Sequence, residues 1–178
     1  MFKLIAFVGL ITLPTMKPTL VFDFYTGCNA SQWSVVDDVV MGGRSAGKFR
    51  INQDGHGVFS GHVSLENNGG FSSVRCPLEK KEVSAYTKFL LTLKGDGKTY
   101  QLRAKSNLRD YYSYVANFET NGEWQTIEIS FSEMYPSFRG QKLNMPNYPG
   151  EQLEEIAFLI ANKKAEDFQL EIDKIEIK

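Results

Sequence analysis

The residues that decide the fold are Val58-Phe59-Ser60-Gly61-His62-Val63-Ser64-Leu65, the turn Asn67-Asn68-Gly69-Gly70, and Phe71-Ser72-Ser73-Val74-Arg75-Cys76. In the first run Phe59, Gly61, Val63 and Leu65 alternate with Val58, Ser60, His62 and Ser64. In the second, Phe71, Ser73 and Arg75 alternate with Ser72, Val74 and Cys76. Side chains of an extended chain point to opposite faces in turn, so a period of two signals strand, where a helix would repeat every 3.6 residues. The asparagines and glycines between the runs are the residue types that tolerate positive φ, so they read as a demanding turn, and equally as a polar, aromatic recognition loop.

The same pattern continues in both directions. Leu20, Phe22 and Phe24 share one face of a first strand. Phe89, Leu91 and Leu93 lead to Gly95-Asp96-Gly97, after which Tyr100, Leu102 and Ala104 oppose Gln101, Arg103 and Lys105. Lys94 to Tyr100 lacks the spacing of a phosphate-binding loop and reads as a plain hairpin turn. Tyr112, Tyr114, Ala116 and Phe118 line a strand ending at Asn121-Gly122, a dipeptide suited to a tight hairpin, and Ile127, Ile129 and Phe131 follow. Ile156 to Ile160 and Phe168 to Ile177 complete the set; the apolar parity slips between Ile172 and Ile175, which predicts a bulge near Asp173 and Lys174. Helix is expected only in short turns, at Glu79 to Tyr86 and Gly150 to Glu155, and Met134 to Gly150 reads as a long ordered loop. About ten short strands with glycine- and asparagine-rich turns make an all-β, two-sheet sandwich or jelly roll.

Composition agrees and excludes several function classes. A chain of 178 residues suits one domain, expected over residues 16–178, with no need of a metal or disulfide to stand up. Phe (13) and Tyr (8) are abundant, and large flat side chains favour pleated sheets. Twenty basic residues against twenty-one acidic give a net charge of −1, which leaves no electrostatic footprint for nucleic acid and no polybasic anchor for lipid. Cys28 and Cys76 read as two separate buried thiols, Cys76 beside Val74 on an apolar face, and no Cys/His cluster suggests zinc.

Residues 1–15 carry an apolar run, Leu4 to Leu13, behind Lys3. It is too short to span a bilayer, which takes about 20 residues. It has the length of a signal-peptide apolar region without a small-x-small cleavage site, and reads equally as a spurious stretch upstream of a start at Met16. The compartment stays open with it: cytoplasmic for a start at Met16, the cell envelope for a signal. The stretch is not Arg-rich, so it makes a poor mitochondrial transit peptide.

Three groups of residues are candidates for binding. Trp33, then Asp37-Asp38 and Met41-Gly42-Gly43-Arg44-Ser45, form a sharp loop that either presents Asp38, Arg44 and Ser45 to a ligand or caps backbone N–H groups with its carboxylates. Adjacent Asp37 and Asp38 would face opposite ways in an extended segment. Asn68, Phe71 and Ser72 belong to the second loop, and Asp96 and Tyr100 to the third. Arg75, Arg103, Lys105 and Arg109, flanked by Tyr111 and Ser113, form a basic stripe across neighbouring strands, and arginine with tyrosine is common at binding hot spots. Catalysis has little support. His56 lies in a turn and His62 on a polar strand face, no nucleophile-elbow signature occurs, and the spacing of Asp37, Asp38 and Asp96 matches no calcium loop. The sequence thus points to no enzyme, no cofactor and no metal.

These motifs resemble the NADH:ubiquinone oxidoreductase complex I intermediate-associated protein 30 family. The resemblance rests on Trp33, Asp37-Asp38, Met41-Gly42-Gly43, Ser45, Phe59-Ser60-Gly61, Asn68-Gly69-Gly70-Phe71-Ser72-Ser73-Val74-Arg75, Lys94-Gly95-Asp96-Gly97-Lys98, Tyr100, Trp124 and Phe138-Arg139-Gly140. It covers about residues 20 to 178 and implies a galactose-binding-like jelly roll. It also implies a chaperone-like assembly factor for respiratory complex I, whose partners are protein subunits of a respiratory or membrane complex, and a mitochondrial location by family analogy alone. A carbohydrate or other small ligand, held by the rim loops through Trp33, Asn67, Asn68, Phe71 and Arg75, is the alternative, since sandwiches of this type commonly bind sugars.

Overall fold

The computed structural model describes residues 17–178, so the apolar N-terminal run read above lies outside the described residues. The strands are β1 (Thr19–Asp23), β2 (Ser34–Asp37), β3 (Ala46–Ile51), β4 (Gly57–Val63), β5 (Ser72–Glu82), β6 (Lys88–Lys94), β7 (Thr99–Lys105), β8 (Ser113–Glu119), β9 (Trp124–Ser130), β10 (Tyr135–Phe138), β11 (Gln141–Lys142), β12 (Gln152–Ile160) and β13 (Glu166–Ile177). They pair antiparallel in two sheets. One runs β3-β4-β13-β6-β9 with β1 also on β13, and the other β11-β10-β8-β7-β12-β5-β2. The only helical pieces among the described residues are short 3-10 turns.

The period-two pattern places one face of each sheet against the other. Phe59, Phe89, Leu91, Leu93, Leu170, Ile172 and Ile175 line the inner face of the six-stranded sheet, and Val74, Tyr100, Leu102, Ile156, Phe158 and Ile160 that of the seven-stranded one. Each such side chain contributes about 1.5–3 kcal/mol when fully buried. At one end Trp33 closes the core among Phe22, Phe24, Phe49 and Phe158, with ring centroids 5.3 to 6.2 Å away.

The bulge expected near Asp173 is present: the pairing of β13 with β6 shifts between Ile172 and Lys174. It has a topological use. β4 pairs with β13 from Glu166 to Ile172 and β1 takes over from Lys174 to Ile177, so one strand edge serves two successive neighbours while β6 covers the other.

Several local expectations are corrected. The turns at residues 64–71, 95–98 and 120–123 are not hairpins: β4 to β5, β6 to β7 and β8 to β9 each cross from one sheet to the other. Positive φ at Gly70, Gly97 and Gly122 is there as the residue types required, but tight-turn chemistry does not specify which sheet the chain enters next. The helical turns expected at Glu79 to Tyr86 and Gly150 to Glu155 are largely strand, because Gln152 and Leu153 pair with Glu82 and Lys81. The segment from Met134 carries β10 and β11 before it becomes a loop. Both cysteines are free; Cys76 is buried as read, whereas Cys28 is only half-buried. Burial, with the negative charge of Glu155 adding to it, pushes the Cys76 thiol up to about 11.

Candidate functional site

Extended backbone ends at Asp37, and a 3-10 turn begins at Asp38. That change of direction lets both carboxylates serve one junction. Asp37 accepts the N–H of Gly47 at 2.9 Å and the hydroxyl of Ser72. Asp38 has no accessible surface and accepts from the N–H of Ser45 at 2.9 Å, the N–H of Gly70 at 2.6 Å, the N–H of Phe71 at 3.2 Å and the hydroxyl of Ser45. Ser45 in turn accepts the N–H of Ser64 at 3.0 Å. Burial pushes the Asp38 carboxyl up, but its donors outweigh that effect and hold it below the usual carboxylate range.

The glycines beside this carboxylate are there for space. A Cβ on Gly43 or Gly69 would run into the Asp38 side chain. Outside the cradle, Arg44 and Glu66 join the same two loops by an exposed ion pair of 2.9 Å, and Asn68 takes φ 60°. A second tie sits in the crossover between β6 and β7. Asp96 accepts the Tyr100 hydroxyl at 2.8 Å, the Lys98 ammonium at 2.6 Å and the Gln169 N–H at 3.0 Å. Tyr100 is fully buried, and burial together with Asp96 raises its phenol far above the ordinary value.

Arg75 and Arg103 lie elsewhere, on the outer face of the seven-stranded sheet. One row crosses six strands in register: Ser34, Arg75, Ala157, Arg103, Val115 and Tyr135. The next row holds Val36, Ser73, Leu159, Gln101 and Asn117. Ala157, Val115, Leu159 and Ser73 are all 5% exposed or less, although they point away from the core. These four thus form a floor walled by the longer outer-face side chains beside them, among them Arg75, Arg103 and Gln101. Lys142 sits over the Tyr135 ring at 5.3 Å.

A separate aromatic patch sits where β10 ends, beside the segment that leads into β8. Tyr111 packs edge-on against Phe138 at 5.2 Å, and the Arg139 guanidinium stands 5.2 Å over the Phe138 ring. Tyr111 is 63% and Phe138 37% exposed, so two large rings remain in solvent. A groove of 440 Å³ opens between β8 and β9, lined by Asn117, Glu119, Ile127, Glu128, Glu133 and Tyr135. A polar recess of 330 Å³ lies between Gly97–Thr99 and Asn162, Lys164 and Glu166. No group of three or more His, Cys, Asp or Glu side chains is gathered as a metal set among the described residues. No helix among them is long and apolar enough to cross a membrane.

The two cradles are built from the motif residues of the sequence, and the model of the complex I intermediate-associated protein 30 family matches residues 22–172. The chain belongs to that family. The structure is also similar to the family 11 carbohydrate-binding module of a cellulosomal cellulase of Clostridium thermocellum, with TM-score 0.65, 18% identity, and 92% of this chain and 95% of that one covered. A structure of the same organism's family 11 module in complex with a β-1,3-1,4-mixed-linked tetrasaccharide gives 0.64 at 18% identity, covering 92% and 96%. A family 29 carbohydrate-binding module gives 0.53 at 8%, covering 92% of each chain. At such identities these likenesses show the fold, a galactose-binding-like jelly roll.

In this member of the intermediate-associated protein 30 family, the twelve site residues read from sequence fall into separate places. Asp37, Asp38, Ser45, Phe71 and Ser72 meet in one cradle, with Arg44 and Asn68 on its outside. Asp96 and Tyr100 form the second tie. Trp33 is a core residue, 5% exposed. Arg75 and Arg103 are brought together across Ala157. Lacking from that reading were Phe138 and Arg139 as an exposed patch with Tyr111. The available signal was the Phe138-Arg139-Gly140 motif, where φ of 48° and 77° turns β10 into β11.

Proposed function

We propose that this chain is a non-catalytic binding domain that holds a protein subunit of respiratory complex I during its assembly. The observation that carries the reading is the exposed Tyr111–Phe138–Arg139 patch on a member of this family. Solvent-exposed aromatics backed by arginine supply large contact area at low entropic cost, which is the chemistry of protein-binding hot spots. The cradles around Asp38 and Asp96 hold the loops, and their carboxylates spend their acceptor capacity inside the protein.

The test is a crosslinking pulldown from the native host with the unaltered chain and with a Tyr111→Ala, Phe138→Ala double variant. Recovery of complex I subunits by the former and their loss with the latter is expected. Recovery of no respiratory subunit by the unaltered chain overturns the reading.

A carbohydrate is the second reading, supported by the walled floor on the outer face of the seven-stranded sheet and by the carbohydrate-binding modules that share the fold. Calorimetry against a glycan panel that includes mixed-linked β-glucan tests it. Absence of heat at millimolar glycan removes it.

A further inference from the structure

Two arginines face the same methyl group. Arg75 on β5 and Arg103 on β7 both pair with Ala157 on the strand between them. Strands lie about 4.8 Å apart, so the two Cα atoms are about 10 Å apart and both guanidinium groups can reach the space above Ala157. Glu155 lies on the same face two residues along β12, yet it closes no ion pair with either. Among the described residues no carboxylate lies within ion-pair distance of either, and the side-chain contacts they make are to neutral acceptors. Arg75 Nε donates to Ser73 Oγ at 3.4 Å, and Arg103 Nη1 to Gln101 Oε1 at 3.5 Å. Burial, and the like charge of Arg75, hold Arg103 below the usual arginine range, while Tyr135 and Glu155 act in the opposite direction. A half-buried like-charged pair with most of its ten N–H donors unspent is costly unless something anionic completes it.

We propose that Arg75 and Arg103 form a clamp for a carboxylate, and that its occupant is an acidic side chain of a polypeptide partner lying across Ala157. The claim rests on the reading that the partner is a protein. The face itself favours a peptide over a sugar. Its one aromatic ring in the row, Tyr135, is covered by Lys142, so no open platform is left for ring stacking. Charge supplies the recognition instead. The whole chain has a net charge of −1, so an acidic ligand would gain nothing from overall attraction and must find a local site.

The experiment titrates a labelled short polyglutamate peptide into the full chain at low ionic strength, beside a polyglutamine peptide and a polygalacturonate oligomer. The unaltered chain binds polyglutamate and not polyglutamine. Arg75→Gln and Arg103→Gln each weaken binding about tenfold, the loss of one charge-assisted contact. Ala157→Glu places a resident carboxylate between the guanidinium groups; it abolishes peptide binding and raises the thermal midpoint. The clamp is overturned if polyglutamate fails to bind, if the double arginine variant binds it unchanged, or if Ala157→Glu lowers the midpoint. Tighter binding of polygalacturonate than of polyglutamate overturns the polypeptide occupant. These arms do not read the Tyr111–Phe138 patch, so their failure and that of the pulldown are separate results.

Discussion

Asp38 and Gly70, thirty-two positions apart in the sequence, are joined by a 2.6 Å hydrogen bond from the Gly70 N–H to the buried Asp38 carboxylate. This bond ties the chain entering β3 to the chain entering β5, which belong to different sheets. Asp38→Asn replaces a carboxylate that only accepts with an amide whose NH₂ must face one of those donors. The expected loss is about 2–4 kcal/mol, from charge-assisted bonds removed and a buried donor left unmatched. Urea denaturation checks it, and the folded far-ultraviolet spectrum should persist.

The same carboxyl fixes a pH dependence. Its pKa is lowered in the folded protein, so its contribution is fully present above the ordinary carboxylate value, near about 4, and is lost as pH falls through the folded value. The difference in stability between the unaltered chain and Asp38→Asn should therefore be constant at neutral pH and shrink in acid. A gap that widens on acidification would contradict the assignment.

Gly61 and Gly97 make opposite predictions from the same substitution. A Cβ on Gly61 would strike the Ala46 carbonyl and come within 2.8 Å of Gly47 Cα on the paired strand. Backbone cannot swing aside as a side chain can, so Gly61→Ala should cost about 3 kcal/mol or more. Gly97 has φ 81° with open space around it, so Gly97→Ala should cost only about 1 kcal/mol of backbone strain. Thermal melts of the two variants separate crowding from strain.

Tyr111→Ala should leave the thermal midpoint nearly unchanged, because its ring is mostly in solvent. If the patch holds a partner, the same change weakens that association by about 2 kcal/mol, roughly thirtyfold. A parallel melt and affinity measurement reads both numbers on one preparation.

The alternating runs made nine strands and the bulge of β13 readable, because period two survives wherever one face is buried. Four strands escaped. β2 is a four-residue edge segment without apolar alternation. β3 does alternate Phe49 and Ile51 with Lys48 and Arg50, but only over four residues behind a glycine-rich turn. β10 carries Pro136, which argues against a strand on sequence grounds. β11 is two residues long. The binding residues were legible as types and not as places. Asp38 and Arg44 are near neighbours in sequence, yet one is sealed under four donors and the other is in solvent. Arg75 and Arg103 share a target only because β12, distant from both in the chain, threads between them.

The place of β13 in its sheet bears on how the molecule is made. It is flanked by β4 and β1 on one edge and β6 on the other, yet it follows all of them in the chain. During synthesis the six-stranded sheet has a missing keystone until β13 emerges, and β1, β4 and β6 wait with unpaired edges. Nonlocal pairing of this kind slows closure and leaves sticky intermediates. A ribosome-stalled chain ending after β12 should therefore remain protease-sensitive at β1, β4 and β6, whereas adding β13 protects all three together.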